Sequence, residues 1–218
     1  MRIYAKLVAY LIVIVGVSVA FAGTEEDFFS AIRRDDAWAV SSLLQRGFDA
    51  NTVSPDRQFG LYLALREPSL KAAQVLIDWP RTDVDARNAV DESPLMMAAL
   101  KGHLALALRL IERGADVNKP GWTPLHYAAT GGQVAVIQLL LDKHAYIDAE
   151  SPNGTTPLMM AAQYGTLASV KALMEAGADT ALKNQLGQTA RDFAQRGGRQ
   201  DVVDLIAAAT RAKLPRAW

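Results

Sequence analysis

Apolar residues in the middle of the chain follow the spacing of short amphipathic helices. Val136, Leu139 and Leu140 stand at positions i, i+3 and i+4, which places their side chains on one helix face. Comparable apolar runs lie one step before and one step after it, at Leu108–Ile111 and Val170–Met174. An alanine pair precedes each run and a turn follows it. The pattern therefore predicts pairs of short helices that recur along the chain.

Each predicted helix pair opens on a Ser/Thr-Pro-Leu string. The string stands at Ser93–Leu95, Thr123–Leu125 and Thr156–Leu158, in steps of 30 and 33 residues, and Thr189 opens a degenerate copy 33 residues further on. Ser or Thr can accept a backbone hydrogen bond as the helix N-cap, and Pro suits the first helical position because it has no N–H to leave unsatisfied. A glycine seven residues after each Leu predicts the turn into the second helix.

A period near 33 residues predicts an all-α solenoid of stacked helix-turn-helix units joined by short projecting hairpins or loops. Such folds usually bind macromolecules. The residues of the predicted frame are Ser93, Pro94, Leu95, Gly102, Thr123, Pro124, Leu125, His126, Gly132, Thr156, Pro157, Leu158 and Gly165.

These strings resemble the ankyrin repeat family. The likeness is close over residues 88–181 and partial over 182–209. Residues 61–85 fit with a period of 34, and residues 25–51 fit as an N-terminal cap. We therefore expect one repeat domain over residues 24–209 and a C-terminal tail over 210–218. The predicted units are 24–53, 54–86, 87–118, 119–149, 150–181 and 182–209.

Three departures from the repeat change the local picture. The step from Pro94 to Pro124 is three residues short of the next step, so we expect a shortened loop at residues 119–121. His144 stands where a glycine closes the helix in other copies, and a residue with a Cβ is strained there. Pro68 replaces a glycine in unit 54–86, whose borders are the least regular.

The first 22 residues differ from the rest of the chain. Arg2 and Lys6 precede an apolar run, Leu7–Val19, and Ala20-Phe21-Ala22 gives a small-x-small cleavage pattern. We interpret residues 1–22 as a secretory signal peptide. An uncleaved membrane anchor is the alternative, but the 16 residues from Leu7 to Ala22 are fewer than the ~20 of a spanning helix. The chain has no cysteine, which suits an oxidising compartment, so we expect periplasmic export in a Gram-negative bacterium.

Charge and chemistry-bearing residues indicate a non-enzymatic protein. Lys and Arg total 23, as do Asp and Glu, and no basic cluster predicts nucleic-acid binding. His103, His126 and His144 lack metal-ligand spacing, and we interpret His126 as structural. The close carboxylate pairs, such as Asp83 and Asp85, lie in turns, where Asp is common. We expect no cofactor, no metal, no stable membrane insertion after cleavage, and a monomer.

The resemblance implies a protein partner bound on the concave and hairpin face. The candidate residues precede each cap or end each first helix: Glu92, Leu100, Lys101, Trp122, Thr130, Thr155, Gln163, Tyr164, Gln188 and Arg196. Trp122 is the sharpest candidate, with Leu100 and Tyr164 beside it, since exposed aromatic residues are typical of binding hot spots. The alternative is that Trp122 folds back over the shortened loop.

The sequence thus predicts an exported protein-protein interaction module. An immunity or inhibitor protein for a toxin, or an effector acting on a host protein, is an alternative biology for the same fold. A small-ligand binder or enzyme is the alternative of another class, and it would need a pocket with convergent titratable groups.

Overall fold

The computed structural model describes residues 25–213, and regular secondary structure in that range is helical. The residues of the predicted signal peptide, 1–22, lie outside the described range. The described chain forms two compact units, one ending at Ala89 and the other beginning at Val90. This boundary falls within the predicted repeat unit 87–118. Between residues 25 and 213, no helix is long and apolar enough to cross a membrane.

The first unit holds helices α1 (residues 25–33), α2 (Ala37–Gln45), α3 (Gly60–Arg66) and α4 (Leu70–Asp78). The second holds α5 (Pro94–Lys101), α6 (Leu104–Glu112), α7 (Pro124–Thr130), α8 (Val134–Asp142), α9 (Pro157–Tyr164), α10 (Leu167–Glu175), α11 (Ala190–Arg196) and α12 (Gln200–Lys213). The prediction of an all-α repeat of helix pairs is confirmed. Helix α12 continues four residues into the predicted tail 210–218.

A close approach of α1 and α3 forms the core of the first unit. The Phe28 side chain is fully buried, and its ring lies 4.6 Å from the ring of Phe48, centroid to centroid. Gly60 begins α3 against this cluster, where an added Cβ would lie 2.8 Å from Phe28 Cε1 and 3.0 Å from Ile32 Cδ1. This packing explains why the second repeat departs from the Thr-Pro opening: Gly60 admits the Phe28 ring.

The second unit begins each of its inner helices, α5, α7, α9 and α11, with a capping box. Side chains of Ser93, Thr123, Thr156 and Thr189 accept a hydrogen bond from the backbone N–H three residues on. Pro occupies the first helical position in the first three. The predicted N-caps are therefore confirmed, including that of the degenerate copy at Thr189.

In each capping box, the side chain three residues after the N-cap accepts the N-cap backbone N–H. Three kinds of side chain do this in the four boxes. Met96 and Met159 sulfur atoms accept the N-cap N–H at 3.3 and 3.4 Å, and the His126 Nδ1 accepts it at 3.1 Å. Asp192 Oδ2 accepts it at 2.7 Å, which lowers the pKa of that carboxyl. The box thus tolerates a thioether, an imidazole or a carboxylate, because each offers an acceptor at the same place.

Neighbouring repeats of the second unit are also tied through the residue that opens each outer helix. Gln133 Nε2 donates to the Leu100 carbonyl at 3.4 Å, and Thr166 Oγ1 donates to the Gly132 carbonyl at 3.4 Å. Arg199 occupies the same place one repeat later. These donors add a bond between repeats at carbonyl groups near the ends of the preceding inner helices, where the helix leaves carbonyls without intrahelical partners.

Glycine conformation at the inner turn is not uniform. Gly132 adopts the expected left-handed conformation, with φ of +67°. Gly165 has the same sequence position but an extended backbone, with φ of −76° and ψ of −161°. An added Cβ there would lie 2.7 Å from the Ser169 Oγ and would also meet the Ala129 carbonyl. Gly165 is therefore required by close packing between repeats.

His126 is buried and joins two repeats. Nδ1 accepts from the Thr123 backbone N–H, so Nε2 carries the proton and donates to the Thr155 carbonyl at 2.9 Å. Burial lowers the pKa of His126 from 6.5 to about 4, against the opposing effect of the bond to Thr155, and the Lys119 ammonium lowers it further. The fold therefore favours the neutral ring.

We predict that His126→Met removes an acid-sensitive part of the stability. Because the folded pKa lies below the unfolded one, the stabilisation from the neutral ring is complete above pH 6.5. It is lost as pH falls towards 4, by about 3 kcal/mol. Met keeps the capping box, as Met96 and Met159 do. Urea unfolding of both proteins between pH 7 and 4 measures the difference.

The variant is expected to be less stable than wild type at pH 7 by about 1 kcal/mol, since the bond to Thr155 is gone. Its free energy of unfolding is expected to fall less steeply on acidification. Parallel curves for the two proteins would contradict the assignment of this acid sensitivity to His126.

Candidate protein-binding surface

The shortened loop of the second unit is held by a buried lysine. Lys119 Nζ donates to Asp91 Oδ2 at 2.6 Å, to the Pro120 carbonyl at 3.2 Å and to the Trp122 carbonyl at 3.0 Å. Its side chain is 1% exposed, whereas that of Asp91 is 61% exposed. One ammonium therefore satisfies the loop carbonyls of a connection that has lost three residues. The sequence reasoning missed Lys119, although its place in the shortened loop was a usable signal.

Trp122 is half-buried in the same loop. Its ring meets the His126 ring edge to face, with centroids 5.2 Å apart, and its carbonyl binds Lys119. The side chain thus covers His126 and the shortened loop. This placement agrees with the structural alternative for Trp122 and leaves only part of its ring available to a partner.

Two rows of candidate side chains end the inner helices. In the first row are Leu100, Thr130, Gln163 and Arg196, which hold equivalent positions in α5, α7, α9 and α11. Leu100 and Gln163 are half-buried, Arg196 is exposed, and the Thr130 hydroxyl donates to the backbone of its own helix. Since these inner helices pack side by side in order, the row is continuous across the second unit.

In the second row, Lys101 and Tyr164 are exposed, and Tyr164 retains 59% of its accessible area. Gly131 and Gly197 hold the equivalent positions directly after the flanking helices α7 and α11, as their C-cap residues. Because neither glycine carries a side chain, the Tyr164 ring stands clear of both neighbours. The structure therefore presents Tyr164 as predicted and makes it the principal aromatic group of this surface.

The candidates that precede the caps have different environments. Glu92 is half-buried, and its Oε1 accepts from the Tyr127 hydroxyl at 2.9 Å. Thr155 is only 1% exposed, and its carbonyl accepts from His126, so it offers no side-chain surface to a partner. Gln188 is half-buried, and its backbone N–H donates to Asn184 Oδ1 at 2.9 Å.

The loop tips supply exposed apolar residues that the sequence reasoning missed. Val90 is 74% exposed and Leu186 is 80% exposed, at equivalent places in the first and last loops of the second unit. Pro120 and Asn153 hold the two places between them and are also exposed. All four stand at the same repeat position, directly before a residue at positive φ. The repeat period in the sequence would therefore have located them. We call the loop tips and the two rows together the inner-helix face.

The carboxylate pair Asp83 and Asp85 lies in a turn that a side chain to backbone hydrogen bond closes. Asp83 Oδ1 accepts the Asp85 N–H at 3.0 Å, which closes a turn as expected. Among the residues that the structure describes, no group of three or more His, Asp or Glu side chains is placed to hold a metal ion. Met96, Met97 and Met159 are buried in the core of the second unit.

A family model described as ankyrin repeats matches the chain in three overlapping stretches, at residues 28–120, 61–151 and 146–214. The chain is also 33% identical over 152 residues to the B-cell lymphoma 3 protein homolog of Mus musculus, covering 66% of this chain and 34% of that protein. Ankyrin repeat and SAM domain-containing protein 6 of Mus musculus is 39% identical over 120 residues, or 52% and 13% of the two chains.

A shorter stretch of the chain is similar to part of a protein whose name is that of an enzyme. The chain is 40% identical over 75 residues to the 2-5A-dependent ribonuclease of Mus musculus, covering 33% of this chain and 10% of that protein. The chain thus spans 34% or less of each of these three relatives. The similarity accordingly concerns the repeats.

We predict that Lys119→Met destabilises the protein by about 1–3 kcal/mol, because the carbonyls of Pro120 and Trp122 lose their buried donor. Asp91→Asn is the matched control. It removes the charge from an exposed partner, so its cost is expected to stay below about 1 kcal/mol. Urea unfolding of both variants measures the two costs. Equal losses would contradict the assignment of this role to the loop carbonyls.

Proposed function

Because the chain belongs to the ankyrin repeat family, whose repeats are protein-protein interaction modules, we propose that it binds a protein partner through the inner-helix face. The observation that carries the proposal is the exposure of Tyr164 and Leu186, 59% and 80%, on a backbone held by capping boxes. Large exposed side chains on a fixed frame are suited to recognition without catalysis.

The order of this surface favours affinity. Repeat-to-repeat bonds from Gln133, Thr166 and Arg199 hold the inner-helix ends in place before a partner arrives. A surface ordered in advance loses less conformational entropy on binding than a flexible one. The face also carries a positive charge, because the Arg196 side chain is exposed. Its guanidinium carbon lies 4.9 Å from the centroid of the Phe193 ring, which holds the charge in place.

We predict that the double variant Tyr164→Ala/Leu186→Ala loses its specific partner. A Tyr that acts as an interface hot spot contributes about 2 kcal/mol or more, so recovery is expected to fall by about tenfold or greater. Both side chains are exposed, so the fold is expected to be retained. Affinity capture from periplasmic extract, followed by quantitative mass spectrometry, measures recovery for the variant and the wild type.

Trp38→Ala is the matched control, because Trp38 is 79% exposed and lies on α2 in the first unit. It removes an exposed aromatic ring outside the inner-helix face. If the double variant recovered the same proteins as the wild type, with both folded by circular dichroism, this face would not be the binding site.

We also propose that the protein is exported and acts in the periplasm. Support comes from the sequence alone: Arg2 and Lys6, the apolar run Leu7–Val19, the pattern ending at Ala22, and the absence of cysteine. A protein without cysteine has no thiol that an oxidising compartment could oxidise. The fold also does not depend on a disulfide.

We predict that the full chain, expressed in a Gram-negative bacterium, yields a mature protein that begins at Gly23. Osmotic-shock fractionation followed by intact mass and N-terminal sequencing measures this. A bulky substitution, Ala22→Trp, is expected to block processing, because signal cleavage requires small residues at this place. A wild-type chain that keeps Met1 and stays with the membrane fraction would favour the uncleaved anchor instead.

A further inference from the structure

The turn after each outer helix follows one pattern in most repeats. An Asp side chain accepts the backbone N–H of the residue two positions on, at 2.8–3.0 Å, and so closes the turn. The accepting residues are Asp49, Asp83, Asp116 and Asp179. In three of these turns a glycine at positive φ stands two residues earlier: Gly47, Gly114 and Gly177.

The turn after α8 departs from the pattern at both places. His144 stands where the others have glycine, and it takes the same left-handed conformation, with φ of +64°. A residue with a Cβ costs on the order of 1 kcal/mol there. Tyr146 stands where the others have Asp, so it has no carboxylate with which to close the turn. Two substitutions within one turn therefore work against local stability.

These side chains are directed at solvent. Tyr146 is 68% exposed, and His144 is exposed as well. The turn is nevertheless fixed in place, because Asn118 Nδ2 donates to the His144 carbonyl at 2.8 Å and Asn118 Oδ1 accepts the Tyr146 N–H at 2.8 Å. The exposed ring thus stands on an ordered backbone.

The surrounding surface is acidic. On the far side of the turn, Asp148 accepts the Asp179 N–H at 3.1 Å, so three successive turns are linked. These turns, residues 112–118, 142–150 and 175–181, contain seven Asp and Glu residues against Arg113 and Lys143. Asp142, Glu150, Glu175 and Asp179 are exposed.

We propose that Tyr146 and the carboxylates around it form a second interaction surface, which binds an arginine-containing basic segment of a partner protein. An exposed aromatic ring attracts a cation to its face, and that cation is more often Arg than Lys. Carboxylates beside the ring favour a cation that can pair with them as well. The guanidinium of arginine meets both requirements, since it stacks on rings and forms forked hydrogen bonds to carboxylates.

This surface is distinct from the inner-helix face. It comprises residues 112–118, 142–150 and 175–181, directly after α6, α8 and α10. The inner-helix face comprises the ends of α5, α7, α9 and α11 and the loop tips Val90, Pro120, Asn153 and Leu186, so the two sets share no residue. The two sites therefore fail independently: variants at Tyr164 leave the acidic turns intact, and variants at Tyr146 leave the inner-helix face intact.

The test uses the full mature protein and a fluorescent peptide of alternating Arg and Gly, followed by anisotropy at low salt. Tyr146→Ala is expected to weaken binding about threefold to fivefold, which is the range of an exposed cation–π contact. Tyr146→Phe keeps the ring and is expected to bind as the wild type does. Trp38→Ala and Tyr164→Ala are the controls, and neither is expected to change the affinity by more than about twofold.

A second variant tests whether the ring itself binds the peptide, as opposed to the local negative charge or the stability of the fold. Tyr146→Asp restores the turn acceptor of the other repeats and adds a negative charge, so its melting temperature is expected to match or exceed that of wild type. Weaker peptide binding by this variant supports the proposal, since added charge alone would strengthen it. Four results would overturn the proposal: no binding by wild type, equal binding of a Glu-Gly peptide, wild-type affinity in Tyr146→Ala or Tyr146→Asp, or an equal loss in Trp38→Ala.

Discussion

The need to satisfy backbone N–H groups at the start of each inner helix underlies the second unit. A helix leaves its first N–H groups without partners inside the helix, and here those ends are buried. Thr123 and Thr156 are 4% and 1% exposed, so water is not available to them. The capping boxes answer this constraint four times, and they fix where each helix begins and therefore where its far end points.

The same constraint leaves room for variation in chemistry. Met96, His126, Met159 and Asp192 all complete a capping box, yet they differ in charge and in titration. Only the imidazole also reaches the next repeat, through the Thr155 carbonyl. The frame therefore requires an acceptor of suitable reach, and the choice among acceptors decides how strongly stability depends on pH.

Local rules made the frame predictable, and long-range contacts limited the prediction of the surface. The caps at Thr123 and Thr189 and the positive φ at Gly132 followed from short-range sequence patterns. Thr155 could not be recognised as buried, because its burial depends on His126, 29 residues away. Trp122 was drawn inward by a loop whose lysine turns back to Asp91, 28 residues earlier. The repeat period placed Tyr164 correctly at the end of an inner helix, where it is 59% exposed.

Arg199 has a consequence for how the last repeat opens. Its Nη1 donates to the Ala161 carbonyl at 3.1 Å and to the Gly165 carbonyl at 2.6 Å, so one guanidinium makes two hydrogen bonds to the end of α9. Each unit of a repeat array contacts only its immediate neighbours, and local opening follows cooperative units of this kind. Separating α12 from α9 would break both of these hydrogen bonds at once, because one guanidinium makes them, so Arg199 couples the position of α12 to the end of the preceding inner helix.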